Sequence, residues 1–327
     1  MATKAGSSLS PCIRLVEESL LLPTQDAGLF AKAFVLIFAH TFLFIAVAVH
    51  FAHPLATDIL ADIKAQRSSS RTTTTTGAAS SNHSKELALL AIYLCYLASK
   101  LATQLVTALA TATTYSGERL TRKVVMERIA GGGGLLGTAA VAGVLELSFT
   151  ALLAALLVST WTYADDSIVK SVCGYSMFSV ALLVYIYLAT VIPVSVGVSA
   201  VDRGCHGVWA LRRAWRLLRA RGKEAAVLVF VVNILPAFIY PAPVYAFSYM
   251  YPADEYSLYY GQDMAVRFSL HGPAMWRQWS QGVCWFMGVV FGSGLPSVGA
   301  QLFSMVAATV FCCLSIETND DAARAVV

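Results

Sequence analysis

Six stretches of this sequence are each long and apolar enough to cross a lipid bilayer: Ala33–Ala52, Leu87–Thr113, Leu135–Tyr163, Val172–Val201, Ala225–Met250 and Val283–Ile316. A spanning helix needs about 20 apolar residues, because the hydrocarbon core is about 30 Å thick and a helix rises about 1.5 Å per residue. The last stretch exceeds one straight crossing and is expected to tilt or to extend beyond the bilayer. Hydrocarbon offers no partner to a free amide or carbonyl, so each stretch must satisfy its own backbone as a helix. The expected fold is therefore all-α: a polytopic membrane bundle of six transmembrane helices with short interfacial helices.

Composition agrees. Only 13% of residues are charged and 57% are apolar, against ~25% charged in an ordinary soluble domain. That excludes a disordered chain, a coiled coil and a nucleic-acid-binding domain with a basic surface. It also weighs against a soluble enzyme, which needs more charge to cover a globule of this length. The seven cysteines show no Cys-x-x-Cys pair and no paired framework, so neither disulfides nor a metal centre is expected. Acidic residues, Pro23 and the lack of a small-residue cleavage site after the first apolar run argue against a secretory signal peptide.

The basic residues set the orientation. Six spans put both chain ends on one side with the second and fourth loops. That side carries fifteen Lys and Arg, and the opposite side seven. Cytoplasmic loops are the Lys/Arg-rich ones, so both ends are expected in the cytoplasm. The organisation expected is a cytoplasmic segment over residues 1–32, a membrane domain over 33–316 and a cytoplasmic tail over 317–327. Within the membrane domain, 56–86 reads as a disordered Ser/Thr-rich outer loop, and 203–221 as a basic cytoplasmic amphipathic helix.

One basic residue fits neither side. Lys100 lies at the middle of the second stretch, where a charge costs several kcal/mol unless paired or hydrated. Tyr93, Tyr96, Lys100, Thr103, Gln104, Thr107 and Thr111 share a helical face by three- and four-residue spacing, and that polar stripe must face the bundle interior. Glu146 lies inside the third stretch, on a face with Ala139, Ala142, Gly143 and Thr150. Lys100 is about 20 Å from the outer end of its span and Glu146 about 26 Å from the outer end of its own, at the helical rise. Two long side chains can bridge that offset, so an intramembrane Lys100–Glu146 pair with Gln104 beside it is expected. Such a pair either pins the register of two helices or serves proton or ion movement.

The fourth loop is the most patterned stretch. Val208, Leu211, Trp215 and Leu218 fall on one helical face, and Arg212, Arg216 and Arg219, with Arg213 adjacent, fall elsewhere. A helix of this kind lies on an anionic leaflet, as an anchor or as a docking site for lipid headgroups or protein. Near the start, Ser10 and Pro11 read as a helix cap and first turn, Ile13, Val16, Leu20 and Leu21 as an apolar face, and Pro23 as the stop. This is a second interfacial helix.

Several further features carry less. Tyr249, Tyr251, Tyr256, Tyr259, Tyr260, Trp276 and Trp279 read as an interfacial aromatic belt, or as a stacking surface for a ligand. Pro193, Pro236, Pro241, Pro243, Gly292, Gly294 and Pro296 interrupt the last three spans, as kinks or as broken helices around a binding site. Gly288 and Gly292 form a GxxxG. The Gly131–Gly134 run has no following Lys-Ser/Thr, so it is a joint and not a phosphate loop. His50 and His53 are too few for a metal site, Asp165-Asp166 reads as a solvated turn, and Asn82-His83-Ser84 is a sequon close to a span.

Three ordered stretches carry a family likeness: Leu15-Val16-Glu17-Glu18-Ser19 leading through Leu22-Pro23 to Ala52-His53-Pro54-Leu55; Ala112-Thr113-Thr114-Tyr115-Ser116-Gly117; and Ser199-Ala200-Val201-Asp202 followed by Gly207, Ala210, Ala214-Trp215 and Leu217-Leu218. In these the chain resembles a plant family of multi-span membrane proteins of uncharacterised function, some labelled polyadenylate-binding-protein-binding-like. The third stretch also looks like a motif of bacterial membrane-domain families, including those beside glycerophosphodiester phosphodiesterases, whose catalytic domain this chain lacks. Many relatives carry Glu at the place of Asp202, and the Ser/Thr insertion departs from shorter members. The resemblance implies a six-span fold in the endomembrane system or plasma membrane, and no catalytic residues.

The expected function is that of a non-enzymatic membrane organiser or adaptor, partnered by the bilayer and its anionic lipids and not by nucleic acid. It would use Arg212, Arg213, Arg216 and Arg219 and no cofactor. The alternative is a small-solute or ion transporter using Lys100, Gln104 and Glu146.

Overall fold

A computed structural model describes residues 10–69, 79–117, 134–163, 168–202, 204–236 and 294–325. All regular structure among them is helical. Helix α1 covers Pro11–Gln25 and α2 Ala27–Val47; a π-helical turn, Ala48–Ala52, leads on into α3, His53–Ser69. Helices α4, α5 and α6 cover Ala79–Ser116, Gly134–Tyr163 and Ile168–Val201. The short α7, Val208–Ala220, and α8, Gly222–Val229, follow, with a second π turn over Phe230–Ile234. Helix α9 covers Leu295–Ala325.

Five helices are long and apolar enough to cross a membrane: Ala27–Ile59, His83–Ser116, Gly134–Thr160, Val172–Val201 and Leu295–Thr318. They match five of the six expected stretches, and the fourth has the expected bounds. Of the expected fifth span, only 225–236 lies within the described residues. Pro241, Pro243, the GxxxG, Gly292, the belt Tyr249–Trp279, Asp165-Asp166 and the side chain of Asn82 lie outside them.

Three expectations about local structure are corrected. Pro23 sits inside α1, which runs on to Gln25, and Asp26 then accepts the amide of Leu29 at 3.2 Å to start α2. Pro193 does not break α6. It removes one donor, and Thr190 and Ser195 beside it return their hydroxyls to carbonyls of the same helix, as tolerated prolines in membrane helices do. Residues 317–325 continue α9 as helix past Thr318, where the last apolar stretch ends. Residues 56–69 and 79–86, expected as disordered loop, are helical. There Lys85 of α4 lies 3.3 Å from Asp62 and 3.7 Å from Asp58 of α3, so polar helices hold together where hydropathy alone reads a loop.

The chain divides into two units. One comprises Ile37–Tyr96 and Pro236–Ala300. In it, the buried His40 of α2 stacks on Tyr96 of α4 at 5.5 Å, and Phe44 meets the same ring edge-on at 5.3 Å.

The other unit comprises Met1–Leu36, Leu97–Leu235 and Gln301–Val327. Its core draws on α1, α2, α6, α7, α8 and α9, with Leu15, Phe30, Val194, Ala214, Leu228 and Phe311 among its buried members. Helices α6 and α9 approach closely at Gly197, where a Cβ would lie 3.2 Å from the Cα of Thr309 and 3.1 Å from Cys312 Sγ. The Cys312 thiol donates to the Val194 carbonyl at 3.3 Å. The end of α4, the start of α5, the end of α6, the start of α8 and the end of α9 all gather at one end of this unit, with α1 packed among them.

Candidate functional site

Lys100 and Glu146 meet across α4 and α5: the Lys100 ammonium donates to Glu146 Oε1. The glutamate side chain is 5% exposed and the lysine 27%. One turn away, a Cβ on Gly143 would lie 3.0 Å from Leu101 Cδ1, so the missing side chain brings the two helices together beside the pair. The pair leaves neither of the enclosed charges without a partner.

The rest of the stripe is turned inward as its spacing requires. Thr103, Gln104, Thr107 and Thr111 are buried. Each threonine hydroxyl donates to a carbonyl three or four residues back, at 2.7–2.8 Å, so these hydroxyl protons are committed within the helix. Gln104 Oε1 is buried and has no hydrogen-bond partner among the described residues. Among those residues no group of three or more His, Cys, Asp or Glu side chains could hold a metal ion.

A second set of polar contacts lies where the helix ends gather. On α1, Arg14 pairs with Glu18 at 2.7 Å. That hydrogen bond raises the arginine pKa above its ordinary value. The Tyr115 hydroxyl at the end of α4 donates to the other Glu18 oxygen at 3.5 Å. Asp202, just beyond α6, accepts from Arg213 of α7 and from the Gly204 amide at 2.9 Å. The Thr138 hydroxyl ties three segments: it donates to the Gly134 carbonyl at 2.9 Å, lies 3.1 Å from Ser199 Oγ, and accepts the Gly207 amide at 2.8 Å. Gly207 has a φ of +59°, which favours glycine. Gly134, the last glycine of the run read as a joint and the one within the described residues, packs closely: a Cβ there would fall 2.3 Å from His206 Nδ1.

The apolar faces read as interfacial are turned outward on α1 and in part on α7, where Leu218 is buried instead. Helix α1 buries Leu15, Ser19 and Leu22, and exposes Ile13, Leu20 and Leu21. Helix α7 buries Ala210, Ala214, Leu217 and Leu218, and exposes Val208, Trp209 and Trp215. The four-residue step from Ala210 to Ala214 makes a smooth seam that lets α7 close on α6, and the indoles are too large to fit it. Arg212, Arg216 and Arg219 are exposed, with the Arg212 guanidinium 5.9 Å from the Trp209 ring centre. Arg213 is turned away into Asp202. The four candidate arginines are thus three on the surface and one in a structural pair.

Glu18, Tyr115, Asp202 and Thr138 were not singled out as site residues in the sequence. The available signals were the four-residue Arg14–Glu18 spacing and the position of Asp202 before a glycine-punctuated turn. His40 carried a plainer one, a histidine in the middle of an apolar run. Glu18 and Tyr115, from the first two of the three quoted stretches, meet here, while Ser199 and Asp202 of the third bond to Thr138 and Arg213, which lie outside the quoted residues.

No curated protein and no solved structure matches this chain. One family model matches residues 11–250, from the first residue of α1 to beyond the second π turn, and the chain belongs to that family, described as Domain of unknown function (DUF8558).

Proposed function

We propose that this chain is a six-span integral membrane protein with both ends in the cytoplasm, and that it acts without catalysis as an organiser or adaptor at the membrane surface. Parity supports the span number. Helix α1 and the end of α9 lie at the same end of one unit, and a chain that returns to the end it left makes an even number of crossings. Five described helices have the length and hydropathy to span, and the sixth crossing falls to the stretch beginning at Ala225. The distribution of Lys and Arg supports the orientation. The family likeness to plant multi-span proteins supports an endomembrane or plasma-membrane home.

The observation that carries the adaptor reading is the two-sidedness of α7. Its alanine and leucine face is sealed into the bundle core, while three arginines and two tryptophans face outward. The charged pair inside the membrane then has a structural role, fixing α4 against α5 at Gly143.

A transporter reading keeps one observation in its favour, the buried and unpartnered Gln104 Oε1 one turn from Lys100. Proteoliposomes distinguish the two. The organiser reading expects no proton or cation flux that depends on Lys100. A flux abolished by Lys100→Met in a protein that still folds would overturn it in favour of transport.

A further inference from the structure

The exposed apolar surface of α6 ends before its last turns. Val172, Met177, Val180 and Leu183 are exposed, whereas residues 190–200 are all buried, against α9 at Gly197 and α5 at Ser199 as well as against α7. Arg213 of α7 reaches Asp202 past the end of α6, and two residues on, Trp215 packs edge-on against Tyr187 at 5.0 Å. Trp215 therefore sits at the boundary between the exposed and the enclosed part of α6.

The outward face of α7 combines Val208, Trp209 and Trp215 with Arg212, Arg216 and Arg219, and the helix contains no acidic residue. The carboxylates in sequence on either side of α7 are engaged, Asp202 by Arg213 and Glu224 by Arg221 at 2.9 Å. Guanidinium groups grip phosphate through paired donors. We infer that this face binds anionic phospholipid headgroups, with Arg212, Arg216 and Arg219 on the phosphates and Trp209, Trp215 and Val208 at the acyl boundary. The inference rests on the reading of α7 as the working surface. It favours lipid over a protein partner because the face joins an acid-free cationic row to tryptophans, and Trp215 of that face packs on Tyr187 next to the exposed apolar stretch of α6.

The test uses the full chain with a photo-reactive phenylalanine analogue in place of Trp209, reconstituted in vesicles of equal phosphatidylcholine and phosphatidylserine. The expected result is cross-linking to phosphatidylserine in preference to phosphatidylcholine, lowered about tenfold by the triple change Arg212→Gln, Arg216→Gln, Arg219→Gln and by high salt. The unchanged melting temperature of the triple variant shows that it folds. Equal capture of the two lipids, or a preference that survives the triple change, overturns the inference. The same chain in native membranes gives a second arm. Exclusive protein adducts there overturn lipid binding and leave the adaptor reading standing, whereas a Lys100-dependent flux defeats the adaptor reading whatever the lipid result.

Discussion

The carboxylate of Glu146 is almost fully enclosed, and its ionic partner is the ammonium of Lys100 on the neighbouring helix. Removing one member of such a pair leaves the other charge stranded, whereas removing both leaves apolar contact. Lys100→Met or Glu146→Leu alone is expected to destabilise the protein by about 3 kcal/mol. The double variant is expected to recover most of that loss. Melting in detergent across the four proteins of the cycle measures the coupling. Additive single losses would show that the pair holds nothing together.

The approach of α6 to α9 at Gly197 is set by backbone, since a Cβ would press on the Cα of Thr309. Gly197→Ala is expected to cost about 1–3 kcal/mol, the usual range for overpacking. Gly143→Ala meets the end of the Leu101 side chain, which can turn aside, so its cost is expected to be smaller. Thermal melting of the two variants checks the order, and an equal or reversed order would contradict the packing described.

The arginines of α7 divide by role. Arg213 holds Asp202 with about a third of each side chain exposed, a setting in which an ion pair contributes about 1 kcal/mol. Arg213→Gln is expected to lower the melting temperature and to speed amide exchange over residues 204–207. Arg216→Gln is expected to do neither, because its side chain is on the surface. Hydrogen exchange followed by mass spectrometry reads both.

The parts legible in the sequence were those that the bilayer dictates. Five apolar runs became helices, and the depth estimate for Lys100 and Glu146 led to the residues that meet. The inward faces of α7 and α1 were not legible. Val208 and Trp215, read as part of an interfacial face, are exposed, as are Ile13, Leu20 and Leu21, whereas Leu218, read on the same face as Trp215, is buried. The buried seams are Ala210 and Ala214 on α7 and Leu15, Ser19 and Leu22 on α1, and alanine and serine carry too little hydropathy to announce which side packs. The contacts of Thr138 with Ser199 and Gly207 join weak polar groups from distant segments, and neither spacing nor charge announces them. Lys85 is the converse case: hydropathy marked its segment as loop, and two aspartates on α3 hold it in a helix.

The gathering of helix ends makes a prediction about sidedness. Thr24, near the end of α1, and Thr318, in the last part of α9, are both exposed, at the end of the unit where Tyr115 meets Glu18. In a background without cysteine, Thr24→Cys and Thr318→Cys are expected to react with a membrane-impermeant maleimide from the same side. His83→Cys, at the far end of α4, is expected to react from the other. In the proposed orientation the Thr24 and Thr318 side is the cytoplasmic one. Labelling of Thr24→Cys and Thr318→Cys from opposite sides would require an odd number of crossings, and the six-span reading would fall with it.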